Sequence, residues 1–535
     1  MPRAFFGLAA AIAAPFLLVL ASLIGHQQAD PDLWGRLSVP ALAYARGALP
    51  RADPFSFTAA GAPWLDHEWA SGFLFDGALR LGGEAALLGL AYAALLAAIA
   101  GVVVLHRVVY RASVYYALVG LVATGGVYEL GYLSTVRCQV LTFVLWLSYL
   151  GVLEAVRVGR ARPRALCVLV PLAILWMNVH GGFVLGPAAV ASYALDAARA
   201  RGWRAAVPHG ACLCALAGCT ALATPYGLEF PRFVVHALLL DRAHISEWVP
   251  LGFGPGEPLE PQMLVVLALG SCALAIARGR RADGGGLPLA PIVLTLVATL
   301  MAVRALRFQT LLAFTVCAYL PVLLPADSIA FVWANESRRR VLRAAAAAGA
   351  VVVVLLGAGM VAAHAPDRSP WVSPVSTGYP VAAIRYLRAS PYRGNLLNPF
   401  TPGELLYFAL YPRFRVSMDG RYEEVYSQDE FLAQHHLLVE RALARTLPDW
   451  ARRRGVDFIL LPTDSPDALA VLRAHPGWRK LHGDESYVLF GRLELVGERP
   501  FVLAAASARA RYSIADFVRP EDLARFAAPT VGSAR

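Results

Sequence analysis

The chain has 535 residues, of which 58% are hydrophobic and only 16% charged, and a formal net charge of +11. That balance is too apolar for an ordinary soluble protein of this length. It does not indicate a nucleic-acid partner, because the arginines sit in short stretches between apolar blocks, as in the loops of a membrane protein.

In chain order, blocks of about 20 apolar residues predict roughly eleven transmembrane helices. They lie near 5–25, 84–106, 113–130, 138–156, 165–180, 182–198, 207–224, 261–278, 287–303, 308–324 and 341–363. The first block follows Arg3 and reads as a retained signal anchor. With Arg3 inside, the clusters at Arg107/Arg111, Arg157–Arg164, Arg199–Arg204, Arg278–Arg281 and Arg338–Arg343 all fall on the cytoplasmic side. The long loop 26–83 and everything after 364 then face outward. The expected fold is a polytopic α-helical membrane domain, 1–364, carrying that large first loop, followed by an extracytoplasmic α/β or α+β domain, 365–535. The runs "RFRVSMDGR", "VDFILLP" and "SYVLFGRLEL" read as strands of the latter, and 428–454 as helix. A proline-rich stretch, "HAPDRSPWVSPVSTGYP", links the two. The seven cysteines lie in or beside apolar blocks with no disulfide or metal-ligand spacing.

The polar residues concentrate on the outer side. "DPDLWGR" places Asp30, Asp32 and Trp34 just past the first span. "RADPFSFTAAGAPWLDHEW" adds Asp53, Asp66, His67, Glu68 and Trp69. Glu129 and Arg137, then His180 in "WMNVHGGF", His244, Glu247 and Trp248 in "HISEWVP", and Arg304 and Arg307 in "RALRFQ" fall in outer turns. Arg137, Arg304 and Arg307 run against the positive-inside tendency, so outer carboxylates or an anionic ligand must compensate them. Carboxylates and arginines on one face suit a phosphate-bearing lipid handled at the membrane surface. The span centres carry almost no ionisable residues, which argues against a proton-coupled transporter.

Each feature also has a plainer role. Asp30 and Asp32 can cap a helix starting near Leu33, and the expectation is that Asp30 faces a cavity while Asp32 caps. Asp66, His67 and Glu68 can form a solvated loop run, His180 can hold the turn at Gly181–Gly182, and the outer arginines can bridge carboxylates such as Glu129. Trp34, Trp64, Trp69 and Trp248 read as interface anchors. Asp419 and Arg421 in "MDGR" read first as a turn.

The motifs "DPD.W", "DPFSFT..G.PW..HEW", "W.N.HGGF", "TPYG" and "MDGR", on this span and domain plan, resemble the GT-C superfamily of integral-membrane glycosyltransferases, in a largely uncharacterised bacterial branch. The resemblance implies transfer of a sugar from a polyprenyl-phosphate-linked donor to an envelope acceptor at the outer face of the cytoplasmic membrane. It implies that Asp30 or Asp32 is the general base or a metal ligand, that Asp66 and Glu68 make a second acidic contact to metal or acceptor, and that Arg137, Arg304, Arg307, His180 and Glu247 form the phosphate and substrate contacts. Magnesium or manganese is the implied cofactor, with Asp30, Asp66 and Glu68 as ligands. The implied partners are a lipid-linked sugar donor, membrane lipid and a glycan, lipid or protein acceptor, with no nucleic acid. The rival expectation is a non-catalytic GT-C-like scaffold that binds lipid or glycan, or a partner in envelope assembly.

Overall fold

The computed structural model describes residues 28–112, 114–124, 127, 134–135, 137–240, 242, 245–279, 286–324, 379–440, 443–503, 517 and 524–527. The expected spans near 5–25 and 341–363, most of the proline-rich linker, Glu129 and His244 lie outside the described residues. Two compact units interleave along the chain. One draws on Gly89–Pro370; the other joins Gln28–Leu88 to residues after 370.

The first unit is helical. Among the described residues, five helices are long and apolar enough to cross a bilayer: Trp69–Val109, whose part up to Leu88 belongs to the other unit, Gln139–Arg157, Trp203–Leu222, Leu259–Gly279 and Leu306–Leu323. Pro163–Val179 and Leu289–Arg304, expected as full spans, are shorter apolar helices. Leu185–Arg201 is diluted by Asp196, Arg199 and Arg201, and the block at 113–130 is helical over Val114–Ala123. The described spans therefore fall short of the expected number. The helix from Trp69 is broken at Gly82–Gly83, where both residues leave helical dihedrals. That break falls where the apolar block of the sequence begins.

Polar groups inside this unit are met internally, as an apolar surrounding demands. Thr295, Thr299 and Thr315 donate to the carbonyls of Pro291, Thr295 and Leu311, one turn back. Glu154 is an ionisable residue buried among these helices. Arg157 pairs with it at 2.7 Å, and the Tyr193 hydroxyl donates to it at 2.5 Å.

The second unit is built on a five-stranded sheet: β1 (Gly394–Leu397), β2 (Phe414–Val416), β3 (Phe458–Pro462), β4 (Trp478–Gly483) and β5 (Tyr487–Arg492). The strand order is β2-β1-β3-β5-β4. β1 pairs in parallel with β2 and β3, while β5 runs antiparallel to β3 and β4. β3 is central, and its unbroken apolar run "FILL" fits a strand covered on both faces. Ile459, Leu461, Val488 and Phe490 pack there against Leu447, Leu469 and Leu472. The stretch expected as one helix over 428–454 is two, Gln428–Val439 and Leu447–Arg453.

Residues of the first loop complete this unit. Val416 donates its amide to Phe55 O (3.1 Å), and Phe57 donates to Val416 O (3.0 Å), so the loop lines the free edge of β2. The helix Asp32–Arg46 is buried along Leu33–Leu42. Trp34, fully buried, packs on Phe408 and Phe517 with centroids 5.6 Å apart. Trp64 is buried as well. Neither is the interface anchor its position in the sequence suggested; both are core side chains of the sheet unit.

Candidate functional site

The N-terminus of the Asp32–Arg46 helix leaves four amides without intrahelical partners. Asp30 Oδ1 accepts the Asp32 amide (2.9 Å) and Asp30 O accepts the Leu33 amide (3.1 Å). The Gly35 amide donates to Glu404 Oε2 at 2.7 Å, from the helix Gly403–Leu410. Capping therefore falls to Asp30, which is buried, and not to Asp32. Asp32 is half-buried in the first turn, where the helix dipole favours a negative charge.

Glu404 fits only because two glycines leave room for it. A Cβ at Gly35 would lie 2.4 Å from Oε2, and one at Gly420 would lie 2.7 Å from Oε1 and 3.4 Å from Asp32 Oδ1. Gly35→Ala must therefore displace a buried carboxyl from its hydrogen bond. The expected loss is about 1–3 kcal/mol of stability, read as a lowered unfolding midpoint of the purified chain. A wild-type midpoint would contradict this packing.

One turn further on, Arg36 is buried among carboxylates. It donates to Asp66 Oδ1 and lies 3.5 Å from both Glu68 and Glu424. His67 Nδ1 meets Glu424 Oε1 at 2.8 Å, and Nε2 lies 3.4 Å from Glu68. The Trp64 indole donates to the other Glu424 oxygen at 2.9 Å. Burial pushes the Asp66 carboxyl up to about 6, against the pull of Arg36. Burial works against a charge on His67, but Glu68 and Glu424 prevail and raise it to about 10. Three carboxylates thus face a guanidinium and an imidazolium.

The His67 contribution to stability is complete below its ordinary value of 6.5 and is lost as the pH climbs towards about 10. The stability advantage of wild type over His67→Gln, measured by thermal unfolding, should shrink across that interval. A pH-independent difference would show that His67 is neutral in the fold.

Asp66, His67 and Glu424 offer donor atoms that all lie within 4.8 Å of one another, a set that could hold a metal ion. Asp66 Oδ2 is a buried acceptor without a hydrogen-bond partner. Yet Arg36 already bonds Asp66, and His67 keeps its proton between two carboxylates. Magnesium prefers near-octahedral oxygen ligation. A set of two carboxylates and an imidazole, with Arg36 in place, does not fit it. The carboxylates of Asp30 and Glu404 are engaged by helix amides.

The "MDGR" turn is more than a turn. Arg421 is fully buried. It donates twice to Asp419 (2.8 and 2.7 Å) and once to Asp53 of the first loop (2.7 Å), and the rings of Phe55, Trp64 and Tyr407 surround it at 4.7–5.1 Å. The Tyr426 hydroxyl donates to Asp419 at 2.6 Å.

In the helical unit, Glu247 takes Arg137 on both oxygens (2.5 and 2.6 Å) and Arg307 at 3.3 Å. Burial would raise its carboxyl, but Arg307 and Arg137 hold it down at about 2. Arg242 and Arg307 lie 4.7 and 4.6 Å from the Trp248 ring centre. Arg137 and Arg307 thus share the Glu247 carboxylate, and Arg242 and Arg307 both lie over the neighbouring Trp248 ring. His180 Nδ1 accepts the Gly182 amide (2.9 Å) and the Thr142 hydroxyl (2.6 Å), so this nitrogen serves the turn. Arg304 is exposed at the end of its helix and makes no ion pair among the described residues.

The structure thus groups Asp30, Asp32, Asp66 and Glu68 in the sheet unit, and Arg137, Arg307, Glu247 and His180 in the helical unit; Arg304 joins neither network. Arg36, Glu404 and Glu424 were not anticipated. The only local signal was Arg36, four residues after Asp32 on the same helix.

A helical unit with apolar helices of bilayer length and a mixed-sheet unit that takes in the first loop make up the described fold, and solved structures resemble it. The oligosaccharyltransferase of Archaeoglobus fulgidus, solved with a tethered acceptor peptide containing the NVT sequon, aligns with 90% of this chain and 74% of its own at 12% identity and a TM-score of 0.52. ArnT from Cupriavidus metallidurans aligns over 93% of this chain and 100% of its own at 12% identity and a TM-score of 0.41. Another structure of that protein has undecaprenyl phosphate bound, with a TM-score of 0.38. The likeness to the oligosaccharyltransferase is one of fold. No family profile and no curated protein sequence matches the chain.

Proposed function

We propose that the chain is a GT-C-type glycosyltransferase that moves a sugar from a polyprenyl-phosphate-linked donor to an envelope acceptor at the outer face of the cytoplasmic membrane. The observation that carries this reading is the Asp32 carboxylate, half-buried at the N-terminus of a helix whose entry is fixed by Asp30 and Glu404. In this reading Asp32 is the general base. The acceptor hydroxyl attacks the anomeric carbon and gives its proton to Asp32, while the bond from that carbon to the phosphate oxygen breaks and polyprenyl phosphate departs. Asp30 holds the helix entry. Arg137 and Arg307 are the phosphate contacts that the sequence motifs imply, since a guanidinium stabilises the charge that grows on a departing phosphate. The GT-C fold and the apolar helices support the membrane setting.

Magnesium or manganese is an expectation of the GT-C resemblance. Such an ion would supply Lewis-acid assistance to the departing phosphate, and no step here is routed through it, because Arg36 and His67 already compensate the Asp66 group.

That same compensation favours the second reading, a GT-C-like scaffold that binds lipid or glycan without turnover. Deleting the gene and profiling lipid-linked saccharides and envelope glycans separates the two. Transfer predicts that one lipid-linked saccharide accumulates while one glycan loses a sugar. Unchanged profiles would leave the scaffold reading.

A further inference from the structure

We propose that the helix Glu229–Leu239 is a membrane-surface helix, seated at the boundary between phospholipid headgroups and acyl chains. Leu228, Val235, Leu238 and Leu239 enter the acyl region, and Glu229, Arg232 and His236 stay with the headgroups and water. The partner is the bilayer itself, so the inference holds whether or not the chain transfers sugar.

Two residues that the transfer scheme does not use set this helix in place. The Asn178 side chain of "W.N.HGGF" donates to Ala223 O (3.0 Å), just past the span Trp203–Leu222. Gly227 of "TPYG" takes a φ of 56°, a left-handed turn that glycine makes at no steric cost. Tyr226, beside it, is buried. The helix starts two residues later, and Phe230 packs on Phe183 with ring centres 5.6 Å apart.

At about 100° per residue, the side chains of this helix form three stripes. Phe230 is buried and Phe233, Val234 and Ala237 are half-buried, so this stripe faces the protein. Leu228, Val235, Leu238 and Leu239 form a second stripe and are 59–81% exposed. Glu229, Arg232 and His236 form the third, also exposed. No single solvent suits both outer stripes. Water would leave four large apolar side chains bare in one patch. Hydrocarbon would surround three ionisable groups. Eleven residues rise about 16 Å, roughly half the hydrocarbon thickness, so the helix cannot cross. The lipid–water boundary accommodates both stripes at once.

Lipid is also what the preceding span meets. Trp203–Leu222 has the smallest buried share of the five spans, 17%, and Leu222 at its end is exposed. Exposed apolar surface therefore resumes at Leu228, six residues on, immediately after the turn.

The test is photo-crosslinking of the full-length chain in vesicles of phosphatidylethanolamine and phosphatidylglycerol, read by intact mass. A p-benzoylphenylalanine is placed singly at Val235, Leu238, Arg232 or His236, all exposed and so tolerant of the change. Val266, exposed on the span Leu259–Gly279, gives the reference yield for lipid. Val235 and Leu238 should form phospholipid adducts at yields near that of Val266, and Arg232 and His236 at yields several-fold lower. Equal yields on the two stripes, or no adduct at Val235 and Leu238, would overturn the proposal. So would crosslinks from Val235 and Leu238 to a second copy of the chain, or to a co-purified prenyl lipid in place of the vesicle phospholipids.

Discussion

Arg421→Met unfolds the sheet unit, or brings it close to unfolding, at ordinary growth temperature. The substitution strands two buried carboxylates, Asp53 and Asp419, which Arg421 bonds at 2.7–2.8 Å. Breaking a buried pair from one side typically costs ~3–5 kcal/mol. A domain has roughly 5–15 kcal/mol in total, so this loss consumes much of the margin. It also removes the cation that Phe55, Trp64 and Tyr407 enclose. Arg421→Lys should recover only part of the stability, because an ammonium cannot bond both carboxylates in the plane a guanidinium offers. Thermal unfolding followed by fluorescence reads this directly, since Trp34 and Trp64 are buried in the same unit. A wild-type midpoint for Arg421→Met would show that this network does not hold the loop to the sheet.

How much of this was legible in the sequence differs by element. Helices of the membrane unit announce themselves through length and apolarity, because lipid leaves the backbone no other partner. The span expected near 84–106 starts at the break at Gly82–Gly83, but the helix that precedes the break, from Trp69, was not expected. β3 was legible as an apolar run, while β1, "GNLL", is too short and too polar at its start to stand out. The union of the first loop with the C-terminal sheet was not legible. Its contacts, Asp53 with Arg421 and Gly35 with Glu404, join residues 368 and 369 positions apart, and nothing local marks such partners. "DPFSF", "PW", "DHEW" and "MDGR" looked like separate loop and turn signals, and they share one buried charge network. Within "DPD" the first helix amide is met by Asp30, where Asp32 was expected to cap, because Asp30 lies two residues before the helix and Asp32 is already in its first turn.

The largest expected effect on function is at Asp32. A general base positioned for proton transfer contributes roughly 10²–10⁴-fold. Asp32→Asn keeps the shape of the side chain and removes its basicity, so turnover should fall by that factor while the fold persists. Asp30→Asn retains an oxygen acceptor for the Asp32 amide, so its effect should be the smaller of the two. The most direct measurement is the lipid-linked saccharide and glycan profile of a deletion strain complemented with wild type, Asp30→Asn, Asp32→Asn or the double variant, all at matched membrane levels. Wild type should restore the profile, Asp30→Asn should restore most of it, and Asp32→Asn and the double variant should leave it as in the deletion. Equal restoration by both single variants and the double variant would contradict the account.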